Sequence, residues 1–339
     1  MQKRQFNRAP AMRDVAQAAG VSAQTVSRVL SDHPNVQEVT KRRVLAAVEE
    51  LGYRRNNTAR ALVTGLSRTI GVVTLATNNY SRSSLALGVE LAAREAGYAV
   101  NSVTSNLSTQ GLTEAVSRLV QQGVDGLIIA APLQEAARRV REITARIPTV
   151  TTDGSSGMSD ELVGVDQESA VVLATNHLLG LGHRTVWHVS GPPEWSDAAS
   201  RLDSWRRALE KAGREVPPEL HGDWSPESGY RSGLILGRMP DVTAILVASD
   251  EMAFGVIRAL TELGRRIPED VSVVGIDDID LAAYATPPLT TVRQSFEDTG
   301  RRAVFHLLEQ IENPEAEHTH QVVEPTLVIR KSTAPPPSV

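Results

Sequence analysis

From residue 68 onward the chain repeats one pattern: short, continuously apolar runs separated by stretches of helical periodicity. The runs are TIGVVTL (69–75), AVNSVTS (99–105), GLIIAAP (126–132), PTVTTD (148–153) and LVGVD (162–166). A second series follows: TVWHVSG (185–191), ELHGDW (219–224), AILVASD (244–250) and VSVVGIDD (271–278). Helices are expected between them, at 84–96, 112–122, 169–181, 199–212 and 251–263. A strand that is apolar on both sides must be covered on both sides, which is the condition of a parallel sheet flanked by helices. Two series predict two similar lobes. Ligands of such sheets bind beyond the carboxyl ends of the strands, so two facing lobes place those ends around one cleft.

The 339 residues include 35 basic and 40 acidic side chains and no cysteine. The lack of cysteine excludes a disulfide scaffold, Cys-based zinc sites and a cysteine nucleophile. No run of about 18 apolar residues occurs, so no membrane span is expected. The N-terminal MQKRQFNRAPAMRD lacks the apolar core of a signal peptide, and a soluble cytoplasmic protein is expected. The net charge of −5 is unevenly placed. Residues 1–62 hold 11 basic and 5 acidic side chains, a net +6, and the remainder holds 24 and 35, a net −11. A small basic head on an acidic body predicts a head that meets a polyanion.

The head holds three helical stretches. The first is Met12–Ala19, with Met12, Val15, Ala16 and Ala19 at helical spacing and Gly20 as its stop. Ser22 is placed to cap the second, Ala23–Leu30, whose inward face is Val26, Val29 and Leu30. A turn with Pro34 precedes the third, 40–51, with Val44, Leu45, Val48 and Leu51 expected inward. Helix, Gly-containing turn, helix is the helix-turn-helix arrangement, whose second helix enters the major groove. Ala23, Gln24 and Arg28 project near the start of that helix and suit thymine, adenine and guanine edges in turn. Thr25 and Ser27 are short hydroxyls suited to phosphates.

In the body, Asp153, Asp166, Ser249, Asp250, Asp277 and Asp278 each follow an apolar strand, Trp224 follows another, and Arg201 opens the helix after 191–195. Carboxylates and arginine grip paired hydroxyls, and an indole stacks on the apolar face of a pyranose, so this set reads as a sugar site. Asp250 and Asp278 are read instead as helix caps or loop braces. No G-x-S-x-G, H-E-x-x-H, P-loop or G-x-G-x-x-G occurs, and no enzyme activity, metal or cofactor is expected. The H-x-H pair His318 and His320 is read as a polar turn.

DVAQAAGVSAQTVSRVL followed by KRRVLAAVEELGY resembles the head of the LacI/GalR family of bacterial transcription regulators. The likeness continues through Asn56, Ala59 and Leu62 and over the whole body. GDWSPESG, LVASDEMAFG and PPLTTVRQ resemble the lactose-repressor-like branch. The resemblance implies a small all-α helix-turn-helix head and an α/β periplasmic-binding-protein-like body of two parallel-sheet lobes. Implied divisions are a DNA-binding domain over 1–55, a hinge helix and linker over 56–67, an effector-binding and dimerisation domain over 68–333, and a tail over 334–339. The first lobe takes about 68–166 and 295–323, the second about 167–294 and 324–333. Asn35, Asn56, Ala59 and Leu62 join the DNA-contacting set, with Leu62 wedged into a minor-groove base step. Arg201 and Asp277 bind effector hydroxyls, with Asp153, Ser249, Trp224 and Gln294 beside them. Asn79 and Tyr80, in a loop unlike that branch, are expected to read a second sugar or a glycosidic substituent.

The implied function is a homodimeric repressor on a palindromic operator, released by a small sugar. The alternative is a corepressor-type regulator whose ligand, such as a purine, strengthens DNA binding. Three positions depart from the family pattern. Arg55 stands where the family has proline and is read as a phosphate contact. Ala130 stands where the lactose branch has asparagine. Ala11 stands where the family has a capping Thr or Ser, a loss of about 1 kcal/mol.

Overall fold

The structure is a computed structural model that describes residues 10–30, 34–53, 65–75, 80–106, 108–131, 137–152, 161–315 and 320–337. Asn56, Ala59, Leu62, Asn79, Asp153 and His318, with the hinge helix expected after residue 55, lie outside the described residues. The chain divides into two compact units, 1–67 and 68–339.

The head is built of α1 (Met12–Ala19), α2 (Ala23–Leu30) and α3 (Glu38–Leu51). Val15, Ala16, Ala19, Val26, Val29, Val44, Ala47 and Tyr53 close one apolar core between them. Gly20 ends α1 at φ 63°, and the next amide, Val21 N–H, returns to the Ala16 carbonyl at 3.0 Å. Ser22 Oγ caps α2 by accepting from Thr25 N–H at 3.1 Å. Ala11 has no side-chain acceptor to offer α1. The Asp14 carboxylate instead accepts the Ala11 N–H at 2.7 Å, which keeps the reciprocal half of a capping box. Helix α3 starts earlier than expected, and Leu45, expected inward, is 45% exposed. Val44, Ala47, Val48 and Leu51 already fill the i, i+3, i+4, i+7 stripe, and Leu45 lies about 100° around the helix from Val44.

In the body, the first sheet holds β1 (Thr69–Leu75), β2 (Ala99–Ser105), β3 (Gly126–Ile129), β4 (Thr149–Thr151), β5 (Glu161–Val165) and β11 (His320–Val323). Their order is β11-β5-β4-β3-β1-β2, all parallel. The second holds β6 (Trp187–Ser190), β7 (Leu220–His221), β8 (Ala244–Val247), β9 (Ser272–Asp277), β10 (Thr290–Arg293) and β12 (Thr326–Val328). Its order is β12-β10-β9-β8-β6-β7, parallel except for β12. The chain passes to the second sheet after β5, returns for β11 and ends on β12.

Helices cover both faces of each sheet. In the first lobe, α4 (Tyr80–Glu95) and α11 (Phe296–Glu312) pack Leu85, Val89, Val304 and Leu307 on Ile70, Val72 and Ile128. On the other side, α5 (Thr109–Gln121) and α6 (Ala137–Thr144) pack Leu112, Val116, Leu119 and Val140 on Val73, Leu127 and Ile129. In the second lobe, α7 (Gln167–Gly180) and α8 (Ser196–Lys211) bring Val171, Leu178, Trp205 and Leu209 to Leu246, Val274 and Ile276. The opposite layer is α9 (Pro226–Leu236) and α10 (Asp250–Glu262), with Leu236, Met252 and Val256 on Ile245, Val247 and Val273. Helices α4 and α11 approach so closely that a Cβ on Gly88 would lie 2.1 Å from the Glu297 carbonyl oxygen.

Some expectations shift. Helices α6 and α9 add to the expected set, α9 being opened by the Ser225 cap and Pro226. The strand expected over 219–224 shrinks to Leu220–His221, and His320 opens β11 rather than lying in a turn. Helix α8 begins at Ser196, so Arg201 sits in its second turn instead of opening it.

His188 of β6 is wholly buried against Trp205, ring centroids 5.3 Å apart, with Nδ1 3.0 Å from the Leu246 carbonyl. Burial lowers its pKa from 6.5 to about 4. The folded state therefore holds a neutral ring that the unfolded chain protonates near pH 6.5. Its contribution is complete above that pH and is lost as pH falls toward 4, on the order of 3 kcal/mol in all. Urea unfolding across pH 4–7 should show this slope, and His188→Phe should flatten it. An unchanged slope in that variant would assign the effect elsewhere.

Candidate functional site

On the head, α2 turns Val26 and Val29 inward, leaves Ala23, Gln24 and Arg28 exposed, and half-buries Thr25 and Ser27. Asn35 is exposed in the turn before α3. The Thr25 hydroxyl lies 2.9 Å from Ser22 Oγ, so it is engaged at the helix start. The exposed residues present an amide, a guanidinium fork and a methyl on one short helix, the groups that distinguish base edges in a major groove.

In the body, four polar side chains from the ends of four elements form one string. Asp277 ends β9, Gln294 follows β10, Gln167 opens α7 and Arg201 comes from α8. Arg201 Nε donates to Gln167 Oε1 at 2.8 Å, and Gln167 Nε2 donates to Gln294 Oε1 at 3.1 Å. Gln294 Nε2 donates to Asp277 Oδ1 at 3.3 Å. Arg201 also donates to the Ala248 carbonyl and lies 5.6 Å from the Trp224 ring centroid. Arg201 is 4% exposed, so its charge is held almost entirely by these partners. Burial pushes the Asp277 carboxyl well above the usual carboxylate range. The Arg201 guanidinium opposes that shift, and Asp250, Glu251 and Asp197 add to it.

This string borders a cavity between the two lobes of the body. Tyr80, Arg82, Thr152 and Phe296 line it from the first lobe. Trp195, Asp197, Trp224, Ser249 and Glu251 join Arg201 and Asp277 from the second. The rings stand edge to face in pairs, Trp195 with Trp224 at 5.7 Å and Tyr80 with Phe296 at 6.4 Å. Contacts that span the lobes include Arg82, 5.5 Å from the Trp195 ring centroid, and the Tyr80 N–H, which donates to the Glu251 carboxylate. Burial raises the Glu251 pKa, and that N–H opposes the rise.

Among the predicted residues, Tyr80, Arg201, Trp224, Ser249 and Asp277 reach the cavity wall. Gln294 lines an adjoining groove with Arg293 and Asp278. Ser249 also caps α10, accepting from Met252 N–H at 3.3 Å. Asp166 caps α7. Asp250 accepts from Thr291 Oγ1 at 2.6 Å and Ile279 N–H at 3.0 Å. Asp278 pairs with Arg293 at 2.7 Å and Arg330 at 2.6 Å, so both aspartates brace loops.

Residues that the sequence reading passed over are Arg82, Thr152, Gln167, Trp195, Asp197 and Glu251. Thr152 stands just beyond β4, while Gln167, Trp195, Asp197 and Glu251 lie in the loop or first helical turn that follows a strand, within reach of the rule that found Asp277. Arg82 lies inside a helix and carries no such signal. Trp224 (φ 71°) and Asp277 (φ 121°) hold backbone conformations that non-glycine residues rarely adopt, a pattern typical of functional positions. Among the described residues, no cluster of three or more potential ligands suits a metal ion. None of the described helices is long and apolar enough to cross a membrane.

Trp224 depends on a glycine. A Cβ on Gly191 would lie 2.2 Å from Trp224 Cη2. Gly191→Ala should therefore displace the indole, altering tryptophan fluorescence and weakening ligand binding while the head stays folded. A fluorescence spectrum identical to that of the parent would show that Trp224 tolerates the methyl group.

The model for bacterial regulatory proteins of the lacI family matches residues 11–56, and a periplasmic binding protein-like domain matches 175–333. The ribose operon repressor of Escherichia coli (strain K12) is 34% identical over 334 residues, covering 95% of this chain and 99% of the relative. The lactose operon repressor of the same strain is 35% identical over 328 residues, covering 95% and 90%. The transcriptional repressor PurR of Haemophilus influenzae is 30% identical over 328 residues, covering 95% and 98%. A crystal structure of the Lac repressor dimer bound to operator and the anti-inducer ONPF matches with a TM-score of 0.88 at 34% identity, covering 96% of this chain and all of that one. With likeness of this degree running almost from end to end, through head and body alike, the chain belongs to the lacI family of bacterial regulatory proteins.

Proposed function

We propose that this protein is a sequence-specific DNA-binding repressor of sugar-utilisation genes. It acts in the cytoplasm as a homodimer on a palindromic operator, and a small sugar, a disaccharide or glycoside, releases it. The observation that carries the reading is the buried string Arg201–Gln167–Gln294–Asp277 beside Trp224 in an interlobe cavity. A carboxyl and a guanidinium fixed in place suit the paired hydroxyls of a sugar, and the indole supplies an apolar surface for its ring. The basic head with its exposed Gln24 and Arg28 supplies the DNA-reading module. Relatives named as ribose and lactose operon repressors support the sugar class, and the Lac repressor dimer on its operator supports the dimeric mode.

The two sites are linked through the lobes. A ligand that prefers one lobe arrangement while DNA prefers the other weakens DNA binding by the factor by which DNA weakens ligand binding, typically about 5- to 150-fold. The purine alternative draws on the PurR relative and on the flat aromatic walls, Trp195, Trp224 and Phe296. The sign of the response separates the two readings: sugar loosens the operator complex, whereas a corepressor tightens it. Operator titrations with and without sugars therefore test the proposal, and operator affinity insensitive to every sugar and purine tried would refute ligand control.

Two substitutions separate the modules. Arg201→Ala should leave operator affinity intact and remove release by sugar; release at the parent's sugar concentration would show that Arg201 does not anchor the ligand. Arg28→Ala should cost about 1–3 kcal/mol on the specific operator and far less on random DNA, while sparing sugar binding. Equal losses on both DNAs in a gel-shift titration would make Arg28 a phosphate contact instead.

A further inference from the structure

Among the polar atoms of the cleft wall, Thr152 Oγ1 from the first lobe and Trp224 Nε1 from the second have no hydrogen-bond partner among the described residues, and Arg82 Nε has none while Arg82 itself is engaged elsewhere. Thr152 is 5% exposed and Trp224 8%. A buried donor or acceptor left unpaired is held at a penalty comparable to a lost hydrogen bond, so each such group in a native fold calls for a cause. The backbone of Thr152 is satisfied, its N–H donating to the Ile129 carbonyl at 3.1 Å, so the deficit belongs to the hydroxyl alone. At the start of β4, the strand that Thr152 follows, the Thr149 hydroxyl donates to the Ile147 carbonyl at 2.9 Å. Strand β4 thus opens on a satisfied threonine and is followed, just past its carboxyl end where ligands of such sheets bind, by an unsatisfied one.

We propose that Thr152 is a ligand-binding residue of the first lobe, its hydroxyl pairing with a hydroxyl of a polyhydroxylated ligand whose oxygen also receives the Trp224 indole N–H or stands next to one that does. The assignment rests on the sugar-responsive reading above and adds to it the group by which the first lobe recognises the ligand. A sugar hydroxyl both donates and accepts, so it satisfies the threonine in either role and gives the indole its acceptor. Arg201, Asp277 and Trp224 grip the ligand from the second lobe, and Thr152 engages it only when the lobes face each other across it. Its hydrogen bond therefore favours one lobe arrangement, which is what a ligand needs to shift an equilibrium between two.

Thr152→Val removes the hydroxyl at nearly constant volume, and Thr152→Ser restores one. Without ligand, Thr152→Val should raise the thermal midpoint of the full chain by about 2–4 °C, because an unpaired buried hydroxyl has gone, and Thr152→Ser should not. Calorimetry with D-ribose, D-galactose, lactose and cellobiose gives the second readout. Whichever of these the parent binds, Thr152→Val should bind about five- to tenfold more weakly and Thr152→Ser within about twofold of the parent. A lowered midpoint in Thr152→Val would show that the hydroxyl serves the fold and would overturn the proposal. Equal sugar affinity in the parent and Thr152→Val would overturn it as well. If the parent binds none of the four sugars, the sugar reading loses its support, while Thr152 is judged by the midpoints: a rise only in the valine variant upholds a hydroxyl kept for a ligand, and no rise overturns it.

Discussion

A sheet whose strands are apolar on both sides leaves polar groups nowhere to gather along its length. The central strands of both sheets meet that condition. Ile128 faces the α4/α11 layer while Leu127 and Ile129 face α5 and α6, and Leu246 and Ile245 divide in the same way between the helical layers of the second lobe. Covering both faces leaves the carboxyl ends of the strands as the place where side chains from distant parts of the chain converge. Asp277, Gln294, Gln167 and Arg201 come from the ends of β9 and β10 and from α7 and α8, and they meet because the parallel topology brings those ends to one edge.

The convergence has an energetic consequence. Arg201 and Asp277 are both nearly buried, yet their charges are joined through two glutamine amides rather than by direct contact. Burial drives the Asp277 carboxyl toward its neutral form, and Arg201 only partly opposes it. Trp224 and Asp277 hold unusual backbone angles, and Thr152 and Trp224 keep polar atoms without partners. Strain, desolvation and unmet hydrogen bonds thus meet in this cavity, although Thr175 Oγ1, His188 Nε2 and Gln321 Oε1 in the surrounding layers also lack partners among the described residues. A protein tolerates such a concentration where a ligand relieves it.

Much of this was legible in the sequence. Continuous apolar runs separated helices from strands because a doubly covered strand has no polar face. The head was legible because Gly20 and Ser22 stop and start its helices at the expected residues. Leu45 misled because pattern reading admits neighbouring apolar residues to one stripe, whereas the helix turns about 100° between Val44 and Leu45. The 219–224 strand was read too long: it stops at His221, and the residues that follow lead into the left-handed backbone at Trp224 and the Ser225 cap of α9. Trp195, Asp197 and Glu251 obeyed the strand-end rule, but from sequence alone nothing distinguished them from solvated loop residues. Arg82 was beyond reach, since a helical arginine becomes part of the site only through its approach to Trp195 of the other lobe.

The sequence by itself determined the class of each element, the two-series plan of the body and the charge division between head and body, because hydrophobic periodicity, capping residues and net charge are local quantities. Only the tertiary structure decided which strand-end residues face the cavity and which brace loops. Asp277 and Asp278 are adjacent in the chain and alike in chemistry, yet one borders the cavity and the other is tied to Arg293 and Arg330. The same holds for Thr152, whose hydroxyl differs from that of Thr149 only in what surrounds it. Burial and hydrogen-bond partnership are properties of neighbours distant in sequence, and those neighbours exist only once the sheets have assembled.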